Sequence, residues 1–146
     1  MRLWLALAVA VCLPALAAED ARCPWMNAAT AGGFLGGAVR VTVTPTSCEY
    51  VHREGASEAT LRIEVAPVSA PHAHCGPGAE SLKAIGNAAQ ACAFEGKTGW
   101  TSEQVVGRVR DRAFLVRLAT HDPGASRKTL RQNARDAAEL LAGFLF

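Results

Sequence analysis

Apolar and polar residues alternate along several short stretches of this chain, and one long stretch near its end carries an apolar stripe at helical spacing. Val39 to Thr44 alternates with its valines inward, and Pro45-Thr46-Ser47 turns the chain into a second strand, Cys48 to Arg53. Glu54 to Glu58 is a polar turn containing Gly55. Thr60 to Ala66 then reads as a third strand, with Leu61, Ile63 and Val65 toward a core and Arg62 and Glu64 toward water. Short turns between the three predict an antiparallel meander. Glu103 to Arg110 and Ala113 to Ala119 read as a hairpin. With Asp111-Arg112 as its turn, Val105, Gly107 and Val109 pair with Leu118, Val116 and Phe114 on the inner face, and Arg108, Arg110 and Arg117 face outward. Asp-Arg is not a favoured two-residue turn, which leaves the register open by one residue.

The long stripe predicts a helix that Ser126 caps and that runs to about Phe146. Leu130, Ala134, Ala137, Ala138, Leu141 and Leu145 form its apolar face, with Arg127, Lys128, Arg131, Arg135, Asp136 and Glu139 mostly opposite. A second, shorter helix starts at Asn27, a good N-cap, and ends near Leu35, with Met26 placed to staple its first turn. Gly32 and Gly33 each cost this helix about 1 kcal/mol relative to alanine, so something outside it must hold it. The same glycines let its backbone press closely on a sheet, and Gly36-Gly37 supplies the stop. Pro67 to Gly78 is loop. Ala79 to Ile85 is expected to make a short helical turn with Leu82 and Ile85 inward, broken by Gly86-Asn87. Ala88 to Phe94 is read as a fourth strand, the alternative being a continuation of that helix. Strands and helices are segregated. The expected fold is α+β: an antiparallel sheet of five or six strands, with a short N-terminal helix and a long C-terminal helix packed on one face.

The first eighteen residues stand outside this pattern. Met1-Arg2, the apolar run Leu3 to Leu13, the break at Pro14 and the A-x-A site at Ala15-Leu16-Ala17 make a secretory signal peptide. Cleavage is expected near Ala17-Ala18, which leaves 19–146 as a single domain, periplasmic or secreted. The apolar run is about half of the ~20 residues a membrane helix needs, so no transmembrane segment is expected in the mature chain. Lipoprotein anchoring at Cys12 is disfavoured by Val11, since lipoprotein processing needs a small residue before the cysteine.

Composition narrows the partners. The chain has 15 Lys and Arg against 13 Asp and Glu, and the leader removes only Arg2 from this balance. A charge near zero exerts no long-range pull toward nucleic acid or anionic lipid. Loss of Cys12 leaves Cys23, Cys48, Cys75 and Cys92, an even set that in an exported chain favours disulfides. Of three pairings, Cys23–Cys48 with Cys75–Cys92 is preferred. It closes short loops, each worth about 3 kcal/mol in the chain-entropy account, and Cys48 falls near the start of the first helix. The cysteines are widely spaced without a C-x-x-C pair, a poor pattern for zinc.

Candidate chemistry is sparse. His72-Ala73-His74-Cys75 puts two histidines on one side of an extended segment beside a thiol, a pattern suited to copper or zinc, but an oxidised Cys75 cannot be a ligand. His52 and His121 are candidate bases for a hydrolase, yet no G-x-S-x-G elbow accompanies them. His52 reads as a solvent-facing strand residue and His121 as a loop residue. Glu54 and Glu58 flank a turn, and Asp136 with Glu139 lies on an exposed helix face. The glycine pairs precede a strand without G-K-[ST], so they make no phosphate loop. Arg108, Arg110, Arg112 and Arg117 cluster in the hairpin, where Arg108, Arg110 and Arg117 are candidates for an anion-binding patch; the competing role is solubility and edge protection. Trp25 and Trp100 read as core or rim residues, the alternative for Trp100, in its glycine-flanked loop, being to line a groove. No cofactor is called for.

Cys23, the alanine-rich segment Ala28 to Ala31, Leu35-Gly36, the strand Val39 to Thr44 and Cys48-Glu49-Tyr50 form a recognisable series. It resembles the opening of small exported bacterial domains found in cell-envelope lipoproteins of unknown function. Ile85-Gly86-Asn87-Ala88-Ala89 is similar to a later segment of those domains. The resemblance implies an α+β fold with a bond of the Cys23–Cys48 type, and it carries no catalytic residues. Related sensor domains of bacterial kinases suggest ligand or partner binding by analogy. The expected function is therefore a disulfide-stabilised binding module, its partner a cell-envelope component or protein. A cell-envelope hydrolase using His52 or His121, or a His72/His74 metal-binding protein, are the alternatives.

Overall fold

The computed structural model describes residues 21–146. The expected signal peptide, its cleavage site and Cys12 lie outside the described residues. The chain runs through α1 (Ala28–Leu35), β1 (Arg40–Val43), β2 (Ser47–Glu54), β3 (Ser57–Pro67), β4 (Glu80–Leu82), β5 (Ala88–Ala93), β6 (Thr101–Val109), β7 (Arg112–Thr120) and α2 (Arg127–Leu145). Every strand pair is antiparallel, in the order β1-β2-β3-β7-β6-β5-β4. Two meanders, β1 to β3 and β4 to β7, are thus joined along β3 and β7. The α+β class is as expected, with seven strands in place of five or six.

Period-two alternation decides which face is dry. Tyr50, Leu61, Ile63, Val105, Val116 and Leu118 point to the same side and are fully buried there. Each such side chain contributes about 1.5–3 kcal/mol on leaving water. Ala134, Ala137, Ala138 and Leu141 of α2 close that face, and Ala31 and Leu35 of α1 join the same core. The caps are those anticipated. Asn27 Oδ1 accepts from Thr30 N–H at 2.8 Å, and Ser126 Oγ from Thr129 N–H at 3.4 Å.

Four expectations are corrected. The added strand, β4, occupies the segment expected to be a helical turn. One isolated turn faces the full nucleation cost, whereas the open edge of β5 offers Glu80 to Leu82 ready backbone partners. Leu82 and Ile85 still turn inward. The hairpin turns one residue earlier than expected, at Arg110-Asp111. Arg110 takes a left-handed φ of 55° and its N–H donates to Asn87 Oδ1 at 2.6 Å. Val105 therefore faces Val116 and Gly107 faces Phe114, a slip of two that keeps every side chain on its expected face. The close approach expected of Gly32 and Gly33 is made inside α1's own exit, where a Cβ on Gly32 would lie 2.5 Å from Gly37 O, while Gly33 is open. His52 is not solvent-facing. Its parity matches Tyr50, so it packs under the end of α1, and its Nδ1 lies 2.8 Å from Ala38 O.

Both disulfides form as the sequential pairing. Cys23–Cys48 spans 5.8 Å between Cα atoms and Cys75–Cys92 spans 5.9 Å. The first pins the approach to α1 onto β2, and Tyr50 OH reinforces it by donating to Met26 O at 2.5 Å.

Candidate functional site

The face of the sheet away from the helices carries the site. Residues of the opposite parity point there, and the strand register sets Glu49, Arg62, Arg117, Gln104 and Cys92 side by side across β2, β3, β7, β6 and β5. This row is bonded for most of its length. Arg62 donates from Nη1 to Glu49 Oε2 at 3.3 Å and from Nε to Glu64 Oε1 at 2.6 Å. Arg117 donates from Nε and Nη2 to the single oxygen Gln104 Oε1, at 3.0 and 2.9 Å. Gln104 Nε2 in turn lies 3.4 Å from Cys92 Sγ, which the Cys75 bond holds in place. The row breaks only where Arg62 meets Arg117 and two cations stand directly opposite each other.

Their surroundings differ. Arg62 has two carboxylates, and hydrogen bonding to Glu64 raises its pKa above the ordinary value against the cost of burial. Arg117 is half-buried and has no carboxylate in salt-bridge reach among the described residues. Burial pushes its pKa below the ordinary value, with Glu64 opposing and Arg62 adding to the fall. Its guanidinium instead stacks on Phe94, with Cζ 3.6 Å from the ring centroid.

The loop after β5 walls this row into a groove. Phe94 N–H donates to Ser102 O at 3.1 Å, and Trp100 N–H closes a turn on Lys97 O at 3.1 Å. Gly99 makes that turn with a φ of 81°, which lays Trp100 beside His121 at 5.7 Å between ring centroids. Lys97 Nζ sits 5.5 Å from the Trp100 ring. The groove encloses about 360 Å³. Its charged lining is Arg62, Lys97 and Arg117 against Glu49, Glu58 and Glu64.

The arginines weighed as an anion patch do not form one cluster. Arg108 pairs with Ala113 beside the turn and Arg110 lies in the turn itself. Arg117 is four residues from Ala113 along β7, roughly 13 Å away at the usual strand rise. Arg117 alone of the three lines the groove. The His72 and His74 rings lie 4.6 Å apart between centroids, tilted at 47° to each other, and line a separate hollow of about 670 Å³ with Arg108. Among the described residues no group of three or more His, Cys, Asp or Glu is arranged to hold a metal ion. His52 faces the helix layer, while His121 lies against the Phe94–Trp100 loop, so the two candidate bases do not share a site. Trp100 lines the groove, the alternative to its core or rim reading. Phe94, Lys97 and Gln104 escaped the sequence reading. The one available signal for Gln104 was a polar residue inside an apolar strand, and it gains meaning only from the register. Comparison of the sequence with known protein families and with curated proteins finds no match.

Proposed function

We propose that this protein is an exported, disulfide-stabilised binding module, and that its ligand or partner seats in the groove on the open face of the sheet. The observation that carries this reading is Arg117. A half-buried guanidinium with no carboxylate in salt-bridge reach among the described residues, stacked on one ring and tethered by one amide oxygen, is a cation kept available for an incoming group. Two disulfides support an oxidising compartment, in keeping with the leader sequence. The resemblance to small exported bacterial domains adds a periplasmic or secreted setting and a cell-envelope component as partner. Neither His52 nor His121 hydrogen-bonds a hydroxyl or thiol among the described residues, which favours binding over hydrolysis.

Two measurements test the proposal. N-terminal sequencing of the exported protein is expected to start at Ala18 or Glu19, and a product that keeps its leader inside the cell contradicts export. Amide spectra of the mature domain, titrated with a panel of small anions, cations and neutral sugars, are expected to shift at Arg62, Ser102 and Arg117. Shifts confined to the His72/His74 hollow would move the binding surface elsewhere.

A further inference from the structure

We infer that the groove takes one planar carboxylate, held end-on by Arg117, with the apolar or aromatic body of the ligand lying against Trp100. This rests on the groove being the binding surface. The first argument is the edge that Arg117 leaves open. A guanidinium has five N–H donors in one plane. Gln104 Oε1 takes the donors of the Nε and Nη2 side, and no protein acceptor among the described residues takes the edge between Nη1 and Nη2. That edge presents two parallel N–H groups, the spacing at which a carboxylate accepts with both oxygens.

Orientation is set before any ligand arrives. Phe94 covers one face of the guanidinium at 3.6 Å and so fixes its plane. Gln104 fixes its rotation within that plane and is itself held by Cys92 Sγ. Gln104 is thus a positioning residue. A preorganised fork loses little freedom on binding, whereas a free arginine has to be ordered first.

Charge chooses the valence. The lining balances three cations with three carboxylates; Glu64 stands one strand from Arg117 and Glu49 two strands away, both clamped on Arg62. One negative charge completes Arg117. A phosphate dianion or a polyanion brings excess charge up against those carboxylates, at the small separations where like charges repel most. Size limits the rest of the ligand, because about 360 Å³ lies at the small end of ligand sites. Trp100 supplies the apolar surface, with Lys97 Nζ 5.5 Å from its ring centroid.

The test uses the mature domain with both disulfides intact. Sodium benzoate, cyclohexanecarboxylate, sulfate, inorganic phosphate and tripolyphosphate are titrated separately, following the Arg117 Nε–H resonance and Trp100 fluorescence in a Trp25→Phe background. Benzoate and cyclohexanecarboxylate are expected to saturate both signals and to bind about tenfold more tightly than sulfate or phosphate. Arg117→Lys keeps the charge but loses the fork, and is expected to weaken benzoate about tenfold. Gln104→Ala is expected to weaken it several-fold and to broaden the Arg117 Nε–H resonance, a change that a purely structural role for Gln104 does not predict. Phosphate or tripolyphosphate binding at least as tightly as benzoate overturns the carboxylate assignment while the groove stands as the site. Equal benzoate affinity in wild type and Arg117→Lys overturns the end-on fork. If no anion moves a groove resonance, the reading of the groove itself falls. Should either variant fail to melt cooperatively, the wild-type ranking of carboxylate against sulfate and phosphate decides.

Discussion

Tyr50, the single tyrosine of the chain, shows how one side chain ties the N-terminal segment to the sheet. It is fully buried and donates to Met26 O, and burial pushes its pKa up to about 12. The unfolded phenol titrates near 10. Below about pH 10 both states keep the proton and the contribution of Tyr50 is intact. Between about pH 10 and 12 the unfolded chain releases a proton that the folded chain keeps, so stability falls as pH rises. The urea midpoint is expected to decline across that window as phenolate absorbance appears. Tyr50→Phe should cost about 1 kcal/mol at neutral pH for the lost hydrogen bond and remove this part of the alkaline decline. An unchanged decline in Tyr50→Phe contradicts the assignment. Gly107 makes a steric case at the same scale. A Cβ there would lie 2.4 Å from the Phe114 ring and 2.7 Å from Ala88 O, so Gly107→Ala should destabilise by about 1–3 kcal/mol, read as a lowered urea midpoint.

At the scale of elements, the docking of α2 depends on more than its apolar stripe. Arg127, Arg131 and Arg135 repeat every four residues along one flank and reach down to the sheet instead of pointing away from it. Arg127 Nη1 and Arg131 Nε meet Glu103 at 2.9 and 3.0 Å, and Arg135 meets Glu80. Glu103 is 1% exposed, whereas its two arginines remain partly in water. The pair is therefore asymmetric. Arg127→Ala with Arg131→Ala strands a buried carboxylate and is expected to cost about 3–5 kcal/mol. Glu103→Gln leaves only solvated cations and should cost clearly less, so equal losses in urea denaturation contradict the latch. On the opposite flank Leu140 and Phe144 are 55% and 61% exposed, and Leu140→Lys is expected to leave stability within about 0.5 kcal/mol.

Over the whole molecule, the two disulfides serve different layers. Cys23–Cys48 clasps a glycine-weakened α1 to the helix side of the sheet, and Cys75–Cys92 ties the long loop after β3 to β5 on the groove side. Each closes a loop worth about 3 kcal/mol in the chain-entropy account. Replacing Cys23 and Cys48 by alanine is expected to strip hydrogen-exchange protection from Ala31 and Leu35 while Arg117 and Val116 keep theirs. Loss of protection throughout the sheet at that same perturbation contradicts the layered arrangement.

What the sequence determined by itself is whatever depends on local pattern. Alternation placed the meander and the last two strands, because a side chain's face follows from its parity alone. Helical spacing and caps placed α1 and α2, and the even cysteine count with short loops anticipated both bonds. Tertiary structure decided what depends on partners. Edge pairing turned Ala79 to Ile85 into β4 and its exit turn, since an unpaired strand edge outweighs one turn of helix. The hairpin's register waited on Asn87, which lies far from the turn in sequence. The groove is of the same kind. Glu49, Arg62, Arg117, Gln104 and Cys92 come from five strands and form a row only once the two meanders join at β3 and β7. Arg117 carried the same charge as Arg108 and Arg110 in the sequence. Its neighbours across the strands, absent from any local window, are what distinguish it.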